Sequence, residues 1–311
     1  MLSRVADSLY WMSRYIKRTD SVLRMLKVNY ASAQDDASEF TWRPVLKIFT
    51  YLEEAEVARI EKNTRMVLHY MITDRENPNA VVTLVTKARE NARSVQDNIT
   101  NELWQSLNEF YHIVRDERLA LALQTKDPIT TLDMLISRAM LYYGIAESTM
   151  FKGEGLNFMN IGKFLERATQ SADIIDVKFS DLSYDLEKTA DVTYWKYLLQ
   201  SISGYALYLK TYRSGFEARN VVELIVFNNN YPRSIIYSVN MLERYFERLR
   251  DSSNTENFDR IRFMIGRLRS KIQYSNMQII SEQGLHKFLS ELNRDLTAIG
   301  NALNEHYFAY S

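Results

Sequence analysis

The segment Leu2-Ser-Arg-Val-Ala-Asp-Ser-Leu-Tyr-Trp-Met-Ser-Arg-Tyr-Ile-Lys-Arg18 opens the chain, and its pattern decides the fold class. Val5, Leu9, Met12, Ile16 and Leu23 recur at spacings of four, three, four and seven, which at about 100° per residue places them on one stripe of an α-helix. On the other side of the same helix, Arg4, Asp7, Trp11, Arg14 and Arg18 share an arc. A solvated helix face normally mixes Lys with Glu. This one uses Arg, whose planar fork suits bidentate pairing with carboxylate or phosphate and stacking on an indole.

Outward from that segment the same period returns over residues 45–71, 80–97, 101–123, 129–150, 158–178, 192–212, 232–250, 256–273 and 285–309. With the opening helix this predicts an all-α helical bundle of roughly ten helices. Only 9 Gly and 4 Pro punctuate 311 residues, too few for the turns of a many-stranded sheet. Breaks are expected at Asn77-Pro78, Asp127-Pro128, Lys152-Gly153-Glu154-Gly155 and Asn228 to Pro232, with Pro232 at a first helical position. None of them resembles a long interdomain linker, so residues 1–311 read as one domain. Ser13-Arg14-Tyr15-Ile16-Lys17-Arg18 can be laid over Gly162-Lys163-Phe164-Leu165-Glu166-Arg167, which points to two related helices, and so to two related halves, in one bundle.

Composition narrows the function classes. Lys plus Arg and Asp plus Glu each total 39, so no net field attracts nucleic acid or an anionic membrane. There is no cysteine, which removes disulfides and thiolate chemistry and fits a cytoplasmic protein. Arg4, Asp7 and Arg14 interrupt the apolar run that a signal peptide would need, and no segment reaches the ~18 uncharged apolar residues of a membrane span.

The four histidines, His69, His112, His286 and His306, are scattered. Glu109-x-x-His112 has ligand spacing for one helix face, but a bundle di-iron site needs that motif twice, so no metal or other cofactor is expected. Gly153-Glu-Gly155 lacks the Lys-Ser/Thr of a phosphate loop. Charged arcs recur instead. Lys163, Glu166, Arg167, Gln170 and Asp173 lie opposite Phe158, Ile161, Leu165, Ala168, Ala172 and Ile175. Arg89, Arg93, Gln96 and Asp97 are followed by Trp104 and Asn108 on the next helix. Such arcs form either interhelical ion pairs that fix register or the wall of an anion-binding pocket. Arg260, Arg262, Arg267, Arg269 and Lys271 flank an apolar stripe, as solvated edges do.

The opening segment, Ala88-Arg-Glu-Asn-Ala-Arg-Ser-Val-Gln-Asp97, Glu102-Leu-Trp-Gln-Ser-Leu-Asn108, Gly144-Ile-Ala-Glu-Ser-Thr-Met150, Phe158-Met-Asn-Ile-Gly-Lys-Phe-Leu-Glu-Arg-Ala168 and Tyr231-Pro-Arg-Ser-Ile-Ile236 together resemble, in order, the alpha-E family (DUF403). Glu166-Arg167 matches the Glu-Arg pair that names it, and Glu147 and Arg233 fall inside the resembling segments. Ser13 stands where the family has Gly, Lys17 where it has Glu, and Lys163 where it has Arg. The resemblance implies a helical protein usually encoded beside an ATP-grasp-like ligase, and often a transglutaminase-like protease, in a peptide-synthesis or peptide-modification system. It thus implies such a protein or a peptide as partner. Two functions follow: a non-catalytic partner of the ligase, or an enzyme component whose Asp7, Glu166 and arginines handle a carboxylate or phosphorylated intermediate.

Overall fold

The computed structural model describes residues 1–34, 41–188, 190–213, 215–250 and 255–308. The described residues are 79% helical, and among them sixteen α-helices and no strand occur, so the fold is all-α. By contacts the chain divides into two compact units, Trp11–Lys152 and a second comprising Met1–Tyr10 with everything from Gly153 onward.

The first long helix, α1 (Ser3–Gln34), runs through both. After it the Trp11–Lys152 unit contains three short helices, α2 (Arg43–Phe49), α3 (Glu54–Ile60) and α4 (Thr64–Ile72), then α5 (Val81–Ser94), α6 (Asn101–Arg115), the short α7 (Glu117–Thr125) and the long α8 (Pro128–Thr149). The other unit repeats that order. A long α9 (Glu154–Ser180) is followed by three short helices, α10 (Val192–Ser201), α11 (Tyr205–Thr211) and α12 (Ala218–Phe227). Then come α13 (Ile235–Glu247), α14 (Thr255–Gln273), the short α15 (Met277–Gln283) and the long α16 (Leu285–Leu303). The similarity between residues 13–18 and 162–167 thus belongs to a pattern that extends over the whole chain.

The helix count exceeds the expected ten for physical reasons. The span 45–71 is cut where Thr50 adopts an extended backbone and where the Asn63 carboxamide accepts from the Arg65 and Met66 amides. Asp116 cuts 101–123 by capping α7 through the Arg118 amide at 2.9 Å. Ser203, at φ 57°, and Gly204 cut 192–212. A caps-and-turns residue need not disturb the apolar period on the buried side, so the period runs through the break. Helix α12 falls outside the expected spans because it has only ten residues, and its buried Val221, Val222, Leu224, Ile225 and Val226 form a nearly continuous apolar run that does not by itself tell helix from strand. Helix α15 spans only seven residues. Pro232 is not a first helical residue. Ser234 is the N-cap, its hydroxyl accepting from the Tyr237 amide at 3.0 Å, and α13 begins at Ile235.

The α1 stripe is buried as its spacing requires, with Leu9, Met12, Ile16 and Leu23 fully inaccessible. Burial also extends round the helix to Ser13, Lys17, Thr19 and Asp20, so the polar arc is not a solvated face. In the second unit α9 packs most closely along α13, with α16 and α14 closing the core. Phe246 and Phe258 stack at 5.0 Å between α13 and α14, and Phe158 meets Phe308 edge-on at 5.9 Å.

Leu242, fully buried on α13, should therefore be costly to truncate. Leu242→Ala is expected to lose about 2–5 kcal/mol, whereas Leu209→Ala, on a half-exposed side chain, should change stability by less than about 0.5 kcal/mol. Urea midpoints at unchanged m-value check both. Equal costs would show that α13 does not form the centre of that core.

Candidate functional site

The Glu-Arg pair lies in the middle of α9. Glu166 is 1% exposed, and the Gln170 carboxamide one turn later donates to its Oε1 at 2.8 Å. A carboxylate taken out of water needs such donors. The Gln170 Oε1 itself is buried without a donor among the described residues.

Arg167 lies flat over Phe164, its guanidinium carbon 4.9 Å from the ring centroid, with Lys163 on the same ring at 4.6 Å. Phe164 in turn stacks on Tyr245 of α13 at 5.8 Å. From this position Arg167 Nη1 donates to the Pro232 carbonyl at 2.9 Å, and one turn on the Ser171 hydroxyl donates to the Arg233 carbonyl at 2.8 Å. Two successive carbonyls of the turn that launches α13 are thereby tied to α9. Tyr231 completes the turn. Its hydroxyl donates to the Ile202 carbonyl, and a Cβ on Gly204 would meet that hydroxyl at 2.9 Å, so only glycine fits there.

The family model described as a predicted alpha-helical domain with a conserved ER motif, Alpha-E, matches residues 1–308. The chain belongs to the Alpha-E family. It is also 24% identical, over 93% of its length, to uncharacterised proteins of Mycobacterium bovis and Mycobacterium tuberculosis. It spans about a third (34%) of the length of these curated relatives. No solved structure matches.

The Alpha-E arginine has a counterpart in the other unit. Arg18, which overlies Arg167 in the internal alignment, donates through Nη1 to Asn79 Oδ1 at 2.9 Å. Asn79 follows Pro78 in the turn before α5, and that turn is further held by Asn77, 1% exposed, whose Oδ1 accepts from the Asn79 amide at 3.0 Å. In both units the motif arginine reaches an X-Pro-X turn, and the next helix starts three residues after the proline.

The preceding residue differs between the copies. Where α9 has Glu166, α1 has Lys17, also 1% exposed, bound to Asp20 Oδ2 at 2.8 Å and to the Ser21 hydroxyl at 3.2 Å. Asp20 Oδ1 accepts from Arg24 at 2.6 Å. The chain Lys17-Asp20-Arg24 was open to sequence reading as alternating charges at spacings of three and four. Asp20 and Arg24 lie beyond the Arg arc of α1, so the arc alone does not reveal them.

The remaining candidates divide between the units. Arg14 lies over Trp11 at 4.8 Å. Arg89 donates through Nε to Asn108 at 3.2 Å and lies over Trp104 at 5.2 Å and Tyr111 at 4.8 Å. Arg93 and Asp97 do not join that group: both are exposed, Arg93 beside Glu90 and Asp97 in a 3-10 turn after α5. Glu147 is an exposed partner of Lys152 at 2.8 Å. In the other unit Arg4 is exposed, while Asp7 and Arg233 are half-buried. Glu109 pairs with Arg138 at 2.9 Å. The basic run on α14 is an ion-paired edge: Arg262 to Glu247, Arg267 to Asp295, Arg269 to Glu243 and Lys271 to Glu291.

A titratable group missed by spacing lies at the end of α9. His286 Nδ1 is 3.0 Å from Asp176 Oδ1, and Tyr184 packs on the imidazole at 4.7 Å. Ser183 and Tyr184 hold φ of 56° and 57°, and the Tyr184 amide reaches back to the Phe179 carbonyl to close the helix. These residues are 110 positions apart in sequence, so no local pattern could reveal them.

Two measurements test these arrangements. Ser171→Ala should cost about 1 kcal/mol. Combined with Arg167→Met it should be non-additive by about 0.5–3 kcal/mol, because both side chains hold one turn. Strict additivity in a double-mutant cycle would disprove a shared anchor. Tyrosine ionisation is the second. Burial, then Asp176, pushes Tyr184 up to about 12, and burial pushes Tyr142 up as well. A phenol whose folded value is raised stabilises the fold fully below its ordinary value near 10 and ceases to do so as pH climbs to about 12. Stability should thus fall across that interval, and Tyr184→Phe should flatten the fall. An unchanged profile in Tyr184→Phe would contradict the assignment.

Proposed function

We propose that this Alpha-E chain is a helical binding module without chemistry of its own, the partner of an ATP-grasp-like ligase or transglutaminase-like protein in a peptide-modification system. One observation carries the reading: relatives matched over 93% of this chain are about three times as long, so in them the same helical region is continuous with much further protein. A domain that recurs within a longer chain is suited to working beside another domain. The placement of Glu166 and Arg167 gives further support. One is buried against Gln170 and the other is bonded to the Pro232 carbonyl, which are architectural uses of the two residues that define the family.

The partner reading predicts a complex. The purified chain, mixed at micromolar concentration with an ATP-grasp-like ligase of the kind the family resemblance implies, should co-elute on size exclusion and alter the ligase's rate of ATP-dependent peptide ligation. The chain alone should leave ATP and peptide unchanged. Ligation or hydrolysis by the chain alone, abolished in Glu166→Gln at unchanged melting temperature, would replace this reading with an enzyme that handles a carboxylate or phosphorylated intermediate. Absence of both complex and turnover would refute the two together.

A further inference from the structure

We propose that the cleft enclosed by α12, α13, α14 and the start of α15 binds a short extended peptide segment that carries a basic side chain. The cleft has a volume of about 790 Å3, within the range that takes a small organic ligand or a few residues. All its walls belong to the unit built on α9. Ile236, Asn240 and Glu243 project from one face of α13, and Arg269, Ile272 and Gln273 from one face of α14.

The lining points to the class of ligand. Side-chain carboxamides dominate the polar wall: Asn229, Asn240, Gln273, Asn276 and Gln278. A carboxamide offers two N–H donors and an acceptor oxygen, the same groups that a peptide bond presents in complementary order. The bonds they make within the protein leave capacity over. Asn240 donates once to Asn229 at 3.0 Å, Gln278 once to Glu282 at 2.9 Å, and Asn276 Oδ1 accepts the Ile279 amide at 3.0 Å.

Charge selects further. Arg269 is bound to Glu243 at 2.7 Å, so that pair is neutral, whereas Glu223 faces the cleft as an exposed carboxylate bonded to the Tyr212 hydroxyl at 3.2 Å. The site therefore carries one net negative charge and repels phosphates while attracting an ammonium or guanidinium. Phe227, Ile236 and Met277 provide an apolar floor on which the methylene stem of Lys or Arg can lie with its charged end at Glu223. Phe227 is the single aromatic side chain of the lining, which disfavours a sugar, since pyranose rings want flat aromatic platforms. Arg269 Nε is buried with no acceptor among the described residues, an unmet donor beside the cleft suited to a ligand carbonyl.

The repeat supplies an independent comparison. In the Trp11–Lys152 unit a cleft of about 450 Å3 is lined by the end of α3, by α4 and by Gln124 of α7. Its lining has Arg59, Arg65 and His69 against Asp74. Neither α5 nor α6, the counterparts of α13 and α14, lines it, so the two clefts differ in position as well as in charge.

The inference stands without a ligase partner, so its test needs none. The full chain, carrying 13C-methyl labels at Ile and Met, is titrated with N-acetyl-Gly-Lys-Gly-amide, with the Gly-Glu-Gly and Gly-Gly-Gly analogues, and with chitobiose. Saturable shifts of the Ile236, Ile272 and Met277 methyls are expected, with the lysine peptide at least about tenfold tighter than the glutamate one. Glu223→Gln should abolish that preference. Arg269→Lys, which keeps a cation for Glu243 but lacks the Nε–H, should weaken all three peptides alike. Melting temperatures verify that both variants fold. Shifts with chitobiose alone, no shifts at millimolar ligand, or a lysine preference that survives Glu223→Gln would each overturn the proposal.

Discussion

The bond from a helix arginine to a proline-containing turn organises each half of this protein. Proline contributes no N–H and forces the residue before it out of the helical region, so the turn cannot satisfy its own carbonyls by continuing a helix. Unpaired carbonyls under a packed helix are costly. Arg167 supplies a donor to Pro232 from α9, and Ser171 supplies the next to Arg233. Once those are made, α13 has a fixed starting point and direction, and Leu242 and Phe246 on its inner side reach the core. A lysine would serve less well at 167. It is the flat guanidinium that lies on Phe164 while directing an N–H sideways at the carbonyl.

Two halves built to one plan need not keep the same polar chemistry. At equivalent positions one has Glu166 and the other Lys17, both 1% exposed and opposite in sign. Each recruits its partner from the next turn of its own helix: Gln170 for the carboxylate, Asp20 and Ser21 for the ammonium. A buried charge requires local hydrogen bonds more than it requires a particular sign, so the position tolerates reversal where the surrounding turn changes with it. The arginine that follows has no such freedom, because its acceptor is a turn whose geometry the proline sets.

What could be read in advance follows from the range of each interaction. The apolar stripe of α1 was legible because its period is local, and the kinship of residues 13–18 with 162–167 was legible because the two helices perform one task. Sequence also brought Arg89, Trp104 and Asn108 together correctly, since α5 and α6 are joined by a short turn. It placed Arg93 and Asp97 with them wrongly. Arg93 lies within α5 on its exposed side, and after Ser94 the chain leaves the helix for a 3-10 turn that carries Asp97 into water. Helix α12 is hard to read because it has only ten residues, in which Val221-Val222 and Leu224-Ile225-Val226 form a short, nearly continuous apolar run. The His286–Asp176–Tyr184 group and the cleft against α13 join residues from distant segments, and nothing in either segment alone marks the meeting.

The motif and the cleft also differ in how they respond to substitution. Arg167, Ser171 and the Tyr231–Ser234 turn are coupled by direct hydrogen bonds, so a change in one alters the acceptor or donor of another. Around the cleft, Glu223, Asn229, Gln273 and Gln278 are exposed and contribute little to the core. Residues of this kind can change identity at small cost in stability. The separation of anchoring from lining leaves the charge of the cleft free to change while the helical plan is kept. It also places freedom to specialise on the α12–α15 surface, and stiffness on the helix that carries the Glu-Arg pair.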